Sequence, residues 1–397
     1  MKAPGLSGPP LARRALGAAG LALLALTTTI PGEAPPARAG APATRSPWRE
    51  LVPGLDWRAW YAQQAGYTPH PLRFGAYVTL GVADQLYVGL GTAAPTEADG
   101  AYLARVDGST LVAIGALQEQ GLHDMAWGGG ALHVAGTDPC CGLDWSAGNH
   151  YVYVPPGPIV RYRDATRGLP DVIHTWGLWI APDLAVYVAT SRQAPTVSGS
   201  KGSFFRSADA GATWNLLTDL GSWRTYDVRG HDGRLYAVYQ PEFNGPAALG
   251  VSEDGGRHWT DVVARVAPPA RLAEFGPALL VVSADRRSLL AVTGSGVERF
   301  DLPAGVRIAS GYHVLAPADA YLYAIWTQED PGGTAYSVAR TADLRSWQTV
   351  ALAGGRPLIS LSYWPARRWV VVGSSGPGAG VWRLAVGGAE RGEGRDP

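Results

Sequence analysis

Short runs in which apolar and polar residues alternate recur along the chain from about residue 75 onward. Residues 101–106, 278–282 and 289–293 are clear examples, with the length of roughly four to six residues that is common for strands. A period of two puts successive side chains on opposite faces of a strand, and the 3.6-residue period of a helix is weak throughout. The pattern therefore predicts an all-β protein made of many short strands.

Two octapeptides interrupt this pattern, and both follow the formula S-x-D-x-G-x-x-W. They occupy residues 207–214 and 252–259, so their aspartates lie 45 residues apart. A degenerate third copy, 341–347, follows 89 residues after the second, which is close to two periods. A turn that recurs at such a spacing indicates a repeated supersecondary unit.

The chemistry of the repeated turn can be deduced from its residue types. A short Asp side chain folds back onto backbone N–H groups, and glycine adopts the positive φ of a tight turn. The terminal Trp begins the next strand and can bury its ring against a neighbouring unit. The residues expected to form these turns are Ser207, Asp209, Gly211 and Trp214, then Ser252, Asp254, Gly256 and Trp259, and finally Asp343 and Trp347.

The octapeptide resembles the Asp-box of the Asp-box (BNR-type) β-propellers, a superfamily that includes sialidases and sortilin-type receptors. The resemblance implies a propeller fold, in which the box is a structural turn away from the active site. Counting strand-like runs between the boxes gives six units, at 76–117, 122–172, 173–219, 224–264, 270–306 and 312–353.

A seventh unit starts at residue 358 but has only three strand-like runs. Residues 48–52 resemble the strands that follow the boxes, so we expect this N-terminal strand to pair with the last blade and close the ring. Closure removes exposed sheet edges. The prediction is a seven-bladed β-propeller in one domain, 40–386, with an insertion at 136–153. A six-bladed ring is the alternative, because the fifth unit has no box.

The chain ends are predicted to lie outside this domain. Lys2, Arg13 and Arg14 precede an apolar stretch, and Ala37-Arg38-Ala39 has the form of a cleavage site. Residues 1–39 therefore look like an export signal, of the general or twin-arginine type, which predicts an extracellular, cell-surface or periplasmic protein without a membrane span after cleavage. An uncleaved, tethered form is the alternative, and 387–397 is expected to be a disordered tail.

Composition restricts the possible partners. The 33 basic residues balance 33 acidic ones, and no basic stripe appears, which argues against a nucleic-acid partner. The abundance of Gly, Pro, Trp and Tyr suits an aromatic-rich β protein with many turns. No cofactor or metal is predicted, and we expect a monomer.

The insertion contains Cys140 and Cys141, the only cysteines of the chain, together with Trp145. Adjacent cysteines lie outside ordinary disulfide geometry, so they are either loop thiols or a strained vicinal disulfide. A vicinal disulfide could also present a rigid surface to a ligand. The insertion is therefore a candidate binding loop.

A second candidate site is the axis of the ring, which the first strand of each blade lines. Tyr77, His123, Tyr226 and His313 each lie ten residues before an aromatic or His residue of the next strand, which predicts that they form one layer. His174 lies in the corresponding strand of the third unit, with an uncertain register. Histidines there could bind metal or act as acid–base groups, or they could simply bond to one another and to water.

Two functions follow from these features. An exported, neutral, aromatic-rich propeller fits a binding, recognition or scaffold role, with a glycan or protein ligand. The alternative is a glycoside hydrolase, sialidase-like or otherwise, for which Asp124 and Asp227 are the candidate carboxylates. The resemblance implies an arginine clamp for a sialidase, but only Arg73 lies near the expected position and the surrounding motif is absent. Tyr363 has no matching Glu, so the binding role is preferred.

Overall fold

The computed structural model describes residues 48–386, apart from 67, 93–99, 118, 140–146, 149, 163–168, 194–199 and 270. The proposed export signal, the C-terminal tail, Cys140, Cys141 and Trp145 lie outside the described residues. The first elements are β1 (Arg49–Glu50) and α1 (Trp57–Ala65). No helix among the described residues is long and apolar enough to cross a bilayer.

The remaining strands form seven antiparallel blades, and the seven-bladed prediction is confirmed. Blade 1 has β2 (Gly75–Val82), β3 (Gln85–Gly91), β4 (Ala101–Asp107) and β5 (Thr110–Leu117). Blade 2 has β6 (Glu119–Gly128), β7 (Ala131–Pro139), β9 (His150–Tyr153) and β10 (Ile159–Tyr162), and the small strands β8 (Ala147–Gly148) and β11 (Leu169–Pro170) pair beside it. Blade 3 has β12 (Val172–Ile180), β13 (Val186–Gln193), β14 (Ser200–Ser207) and β15 (Asn215–Asp219).

The other four blades follow the same plan. Blade 4 has β16 (Arg224–His231), β17 (Arg234–Gln240), β18 (Ala247–Ser252) and β19 (Thr260–Val266). Blade 5 has β20 (Ala273–Phe275), β21 (Ala278–Val282), β22 (Ser288–Thr293) and β23 (Gly296–Asp301). Blade 6 has β24 (Arg307–Ile308), β25 (Leu315–Ala318), β26 (Tyr321–Asp330), β27 (Gly333–Thr341) and β28 (Trp347–Gly354), and blade 7 has β29 (Leu358–Trp364), β30 (Trp369–Ser374) and β31 (Val381–Ala385). The six-bladed alternative is wrong, because the unit without a box forms a full four-stranded blade.

The ring closes through β1, as the sequence predicts. β1 pairs antiparallel with β31, with Arg49 opposite Arg383 and Glu50 opposite Trp382. The backbone N–H of Leu51 continues the ladder to Val381 at 3.0 Å. The N-terminal strand therefore supplies the fourth, outermost strand of blade 7 and covers the edge of β31.

The helix α1 was not predicted by the sequence pattern. Its N-cap, Asp56, accepts a hydrogen bond from the N–H of Ala59 at 2.9 Å, and Gly66 ends it with φ 79°. Trp57 and Tyr61 point into the core between blades 1 and 7, and the Tyr61 ring lies 5.1 Å from that of Phe74. With only two buried residues in nine, the helix is too short to show a clear apolar period.

The box turns connect the last two strands of blades 3, 4 and 6. In the second box, Ser252 Oγ accepts from the N–H of Gly256 at 2.8 Å and donates to Asp254 at 2.9 Å. The Asp254 carboxylate also accepts from the N–H groups of Arg257 and His258, at 3.0 and 2.9 Å. These bonds satisfy the backbone N–H groups of the turn locally, so the turn folds without help from other blades.

The box tryptophans connect neighbouring blades. Trp259 of blade 4 packs on Phe204 of blade 3 with ring centroids 4.8 Å apart, and Trp214 of blade 3 lies 5.2 Å from His150 of blade 2. Gly211 has φ 93°, and an added Cβ would lie 2.5 Å from the His150 ring. Glycine is needed there for its conformation and for the close approach.

The connections define two faces of the ring. Turns between the first and second strands, and between the third and fourth, lie on one face, which we call the hairpin face and which carries the box turns. Among the described residues, the ends of the second strands and the starts of the first and third strands lie on the opposite face, which we call the loop face.

Replacing Ser252 with Ala should lower the free energy of unfolding by about 1 to 3 kcal/mol, because the buried N–H of Gly256 loses its acceptor. Urea unfolding of the two proteins measures the difference. Ser295→Ala, in an exposed turn of blade 5, is the matched control and should change stability little. Equal losses in the two variants would contradict a structural role for the Ser252 hydroxyl.

Candidate functional site

A β-bulge recurs in the innermost strands of blades 1, 2, 3, 4 and 7, and places one residue of each of these blades at an equivalent axial position. The bulges lie between Ala76 and Val78, Leu122 and Asp124, Thr175 and Gly177, Thr225 and Asp227, and Leu358 and Ser360. The bulged residues are Tyr77, His123, Trp176, Tyr226 and Ile359. Blade 3 therefore contributes Trp176 at this position, and His174, the candidate that the sequence suggests, lies two residues before it.

Aromatic and imidazole rings gather at this end of the axis. The His123 ring lies 4.8 Å from Trp176 and 4.4 Å from Tyr312. Trp176 in turn lies 4.6 Å from His174 and 5.8 Å from Tyr226. We call these five residues the axial cluster. Apart from Tyr312, all of them are buried.

Tyr77 shares the bulge position but has other contacts. Its hydroxyl lies 2.6 Å from the carbonyl oxygen of Arg73 and 3.1 Å from that of Thr92. Burial raises the pKa of Tyr77 to about 12, so the hydroxyl stays protonated at neutral pH. Its role is to tie β2 to the chain before it and to the end of β3.

The axial cluster extends to the protein surface on the loop face. The guanidinium of Arg224 lies between two rings, 4.6 Å from Trp176 and 3.8 Å from Trp223. Phe243 packs edge-on against Trp223 at 4.7 Å, and 61% of Phe243 is exposed. We call Phe243, Trp223 and Arg224 the aromatic run, which leads from solvent to the axial cluster.

Two histidines near the axis, His123 and His313, are held neutral. Burial, and then the charge of Arg271, keeps the pKa of His123 well below its usual value, and burial lowers the pKa of His313. His313 Nε2 donates to the carbonyl oxygen of His123 at 2.7 Å. Within the described ranges no group of three or more His, Cys, Asp or Glu side chains is arranged to hold a metal ion.

Below the axial cluster, Arg271 crosses the axis and links three other blades. One guanidinium nitrogen donates to the carbonyl oxygen of Tyr226 at 2.6 Å, and the other donates to those of His123, at 3.0 Å, and Trp176. An added Cβ at Gly177 would lie 2.0 Å from the guanidinium. Arg271 therefore fills the axis at this level.

The two candidate catalytic carboxylates lie in the same layer as Arg271. Arg271 is 3.4 Å from Asp124 and 3.2 Å from Asp227. Asp124 accepts from the N–H groups of Met125 and Leu178, each at 2.9 Å. Asp227 accepts from the N–H groups of Val228, at 3.0 Å, and Leu272, at 2.7 Å. Each carboxylate thus joins its own blade to the next one.

Burial shapes the electrostatics of this layer. Burial raises the pKa of Asp227, and the neighbouring Arg271 and Arg229 oppose that rise. A carboxylate in this setting is stable only with its N–H donors and the guanidinium in place, because an unpaired buried charge is costly.

Several residues of this site were missed by the sequence reasoning. Trp176, Tyr312, Arg224, Trp223, Phe243 and Arg271 were not singled out. The position of Trp176 relative to the turn between β12 and β13 is the signal that could have identified it, whereas the positions of the histidines could not. Arg271 lies just before a short strand in the blade without a box, where no repeat pattern marks the axial position.

The structure places the chain among seven-bladed β-propellers. It is similar to virginiamycin B lyase from Staphylococcus aureus, solved as a catalytically inactive variant with quinupristin, at a TM-score of 0.56 and 13% identity over 85% of this chain and 99% of the lyase. It is also similar to prolyl oligopeptidase B from Galerina marginata, with a TM-score of 0.54 and 13% identity over 81% of this chain and 50% of the peptidase. A puromycin hydrolase is similar with a TM-score of 0.54 and 13% identity, over 87% of this chain and 57% of the hydrolase.

These likenesses are of fold alone. No protein-family model matches the chain, and no curated protein matches its sequence. The similar proteins include a lyase, a peptidase and a hydrolase, so the fold does not select a function and the site must supply it.

Replacing Arg271 with Ala should cost about 3 to 5 kcal/mol of stability, because two buried carboxylates lose their cation. Adding Asp227→Asn to that variant should recover part of the loss. Chemical unfolding measures both effects. Arg299→Ala, which removes an exposed arginine from a pair of ion contacts, is the control and should be close to neutral. A small loss for Arg271→Ala would rule out its bridging role.

The protein should lose stability as the pH falls from 6.5 toward 4. A second buried pair, His133 and His150, has ring nitrogens 3.1 Å apart, and burial lowers the pKa of His133 to about 4. Below pH 6.5 the unfolded chain protonates its histidines while these folded ones stay neutral, so unfolding takes up protons and stability falls with pH.

His123→Gln tests the sign of this effect. The variant should reduce the proton uptake on unfolding between pH 5 and 6 by about one proton, worth about 1.4 kcal/mol per pH unit. Thermal unfolding across this pH range measures it. His70→Gln, at an exposed histidine, is the matched control for the general effect of replacing an imidazole with an amide. An unchanged slope for His123→Gln would contradict a neutral, buried His123.

Proposed function

We propose that this chain is an exported binding propeller of the Asp-box type, which recognises a glycan or a protein on the loop face. The export signal and the Asp-box assignment rest on the sequence features at 1–39 and on the box octapeptides. The aromatic run is the proposed contact surface, and a glycan is the ligand class we favour.

The observation that carries this proposal is the continuity of the aromatic run. Phe243 is exposed, Trp223 and Arg224 are half-buried, and Trp176 is buried, so the contacts deepen step by step toward the axis. Rigid rings offer flat apolar faces to the C–H face of a sugar, and the guanidinium offers donors to its hydroxyl oxygens. Trp, Tyr and Arg are also the residue types that dominate protein-binding surfaces.

The positions of the carboxylates support binding over hydrolysis. A glycosidase needs one carboxyl group to protonate the leaving group and another to act as a nucleophile or base. Asp124 and Asp227 instead accept backbone N–H groups and share Arg271. Their hydrogen-bonding capacity is engaged in holding blades together, which argues against either catalytic role.

A glycan array with the purified protein tests the proposal. We expect binding to a restricted set of glycans, with a loss of at least tenfold in affinity for Trp223→Ala, since truncating a Trp at the centre of a binding surface costs about 2 kcal/mol or more. Trp127→Ala is the matched control, because Trp127 is a partly exposed Trp on the opposite, hairpin face.

Three results would contradict the proposal. Turnover of a chromogenic glycoside that disappears with Asp124→Asn in a folded variant would establish the hydrolase alternative. An array without any binding, or equal effects of the Trp223 and Trp127 substitutions, would exclude glycan recognition by the aromatic run. If the array shows no binding, a protein ligand would be sought with the same two variants, Trp223→Ala and Trp127→Ala.

A further inference from the structure

Two adjoining cavities lie on the axis at the hairpin face, away from the axial cluster. One has a volume of about 390 Å³ and the other of about 340 Å³, and both are lined by Asp124 and Arg229. The larger cavity is lined by residues from the C-terminal halves of β2, β6 and β12, whereas His123, His174, Trp176 and Tyr226 of the axial cluster lie nearer the N-terminal ends of their strands. The smaller cavity is bounded by Arg271 itself and by residues of β20 and β25. The layer of Arg271, Asp124 and Asp227 therefore separates the cavities from the aromatic run.

Arg229 is the polar group that distinguishes these cavities. Its guanidinium makes no hydrogen bond or ion pair with any residue in the described part of the chain, and its Nε is fully buried. It is near enough to Asp227 to lower the pKa of that carboxyl, without forming an ion pair. A partly buried guanidinium without an acceptor is costly, so this position favours a ligand that brings one.

The acidic groups nearby are already engaged. Arg271 and backbone N–H groups occupy the oxygens of Asp124 and Asp227. Glu274 also lines the smaller cavity, but it is exposed at the mouth and lies 3.9 Å from His231. His313, which lines the same cavity, donates to the carbonyl oxygen of His123. Arg229 is thus the charged group left to meet a ligand.

The larger cavity is otherwise mainly apolar. Its walls are formed largely by Leu80, Val82, Met125, Leu178, Trp179 and Ile180. The Trp179 ring is held between Tyr187, 5.3 Å away, and the backbone of Gly230, where an added Cβ would lie 2.3 Å from the ring. This wall is preformed, and the volume of the larger cavity is in the range of small-molecule pockets.

We propose that these cavities form a second binding site, for a small amphipathic carboxylic acid. The carboxylate pairs with Arg229, for which a guanidinium is the best-matched partner. The apolar body lies along Trp179 and the neighbouring aliphatic side chains, where its burial is favourable. The site is independent of the proposed glycan surface, since it opens on the opposite face.

Calorimetric titration with octanoate tests the site, with octanamide as a neutral ligand of the same apolar shape. We expect saturable one-site binding of octanoate, and binding of octanamide that is at least tenfold weaker. Arg229→Gln should weaken octanoate binding at least tenfold and bring the two ligands to similar affinity. Arg229→Lys should retain part of the preference for octanoate, because it keeps the charge.

Arg234→Gln is the matched control, since it removes an exposed arginine from the same blade outside the axial cavities. It should leave octanoate binding within twofold of the unmodified protein. Equal binding of octanoate and octanamide, an unaltered affinity in a folded Arg229→Gln variant, or no saturable binding at millimolar octanoate would each overturn the proposal. The glycan array measures binding to the loop face, whereas the titration measures binding to the cavities on the hairpin face. Either proposal can therefore fail without the other.

Discussion

The rest of the structure is organised around the guanidinium of Arg271, which lies across the axis of the ring. From blade 5 it bonds to carbonyl oxygens in blades 2, 3 and 4, and it pairs with two buried carboxylates that themselves accept N–H groups from neighbouring blades. Apolar packing between neighbouring sheets is not directional, so it does little to fix the position of one blade along the axis relative to the next. These directional bonds fix it, and Gly177 leaves the room they need.

The same layer gives the two ends of the axis different chemistry. On the loop side the charge of Arg271 helps keep His123 neutral, so its ring packs with Trp176 and Tyr312 as an aromatic group. On the hairpin side the carboxylates are compensated from within the layer, which leaves Arg229 without an acceptor among the described residues. The buried ion network thus lies between an aromatic surface at one end of the axis and, at the other, two cavities in which Arg229 has no acceptor among the described residues.

The fold could be predicted from the sequence because its information is local and repeated. Each box contains the groups that satisfy its own turn, as Ser252 and Asp254 do, so a spacing of 45 residues already indicates a blade. The axial contacts are not of this kind. Arg271 meets partners 45, 95 and 148 residues away, and the two bulges in β12 shift its register enough to put Trp176 where His174 was considered. The short helix α1 was missed because its packing, not its pattern, specifies it.

In a repeat protein, then, residues that recur at the repeat spacing indicate architecture, and those that break it indicate function. Tyr77, His123 and Tyr226 share one bulge position, yet only His123 and Tyr226 join the axial cluster, since Tyr77 bonds to its own blade's backbone. Arg224, Arg229 and Arg271 have no counterparts at equivalent positions in the other blades. Each is a cation placed once in a ring of similar strands. Arg271 is explained by the blades that it joins, and Arg224 and Arg229 are explained by the ligands proposed for the two faces.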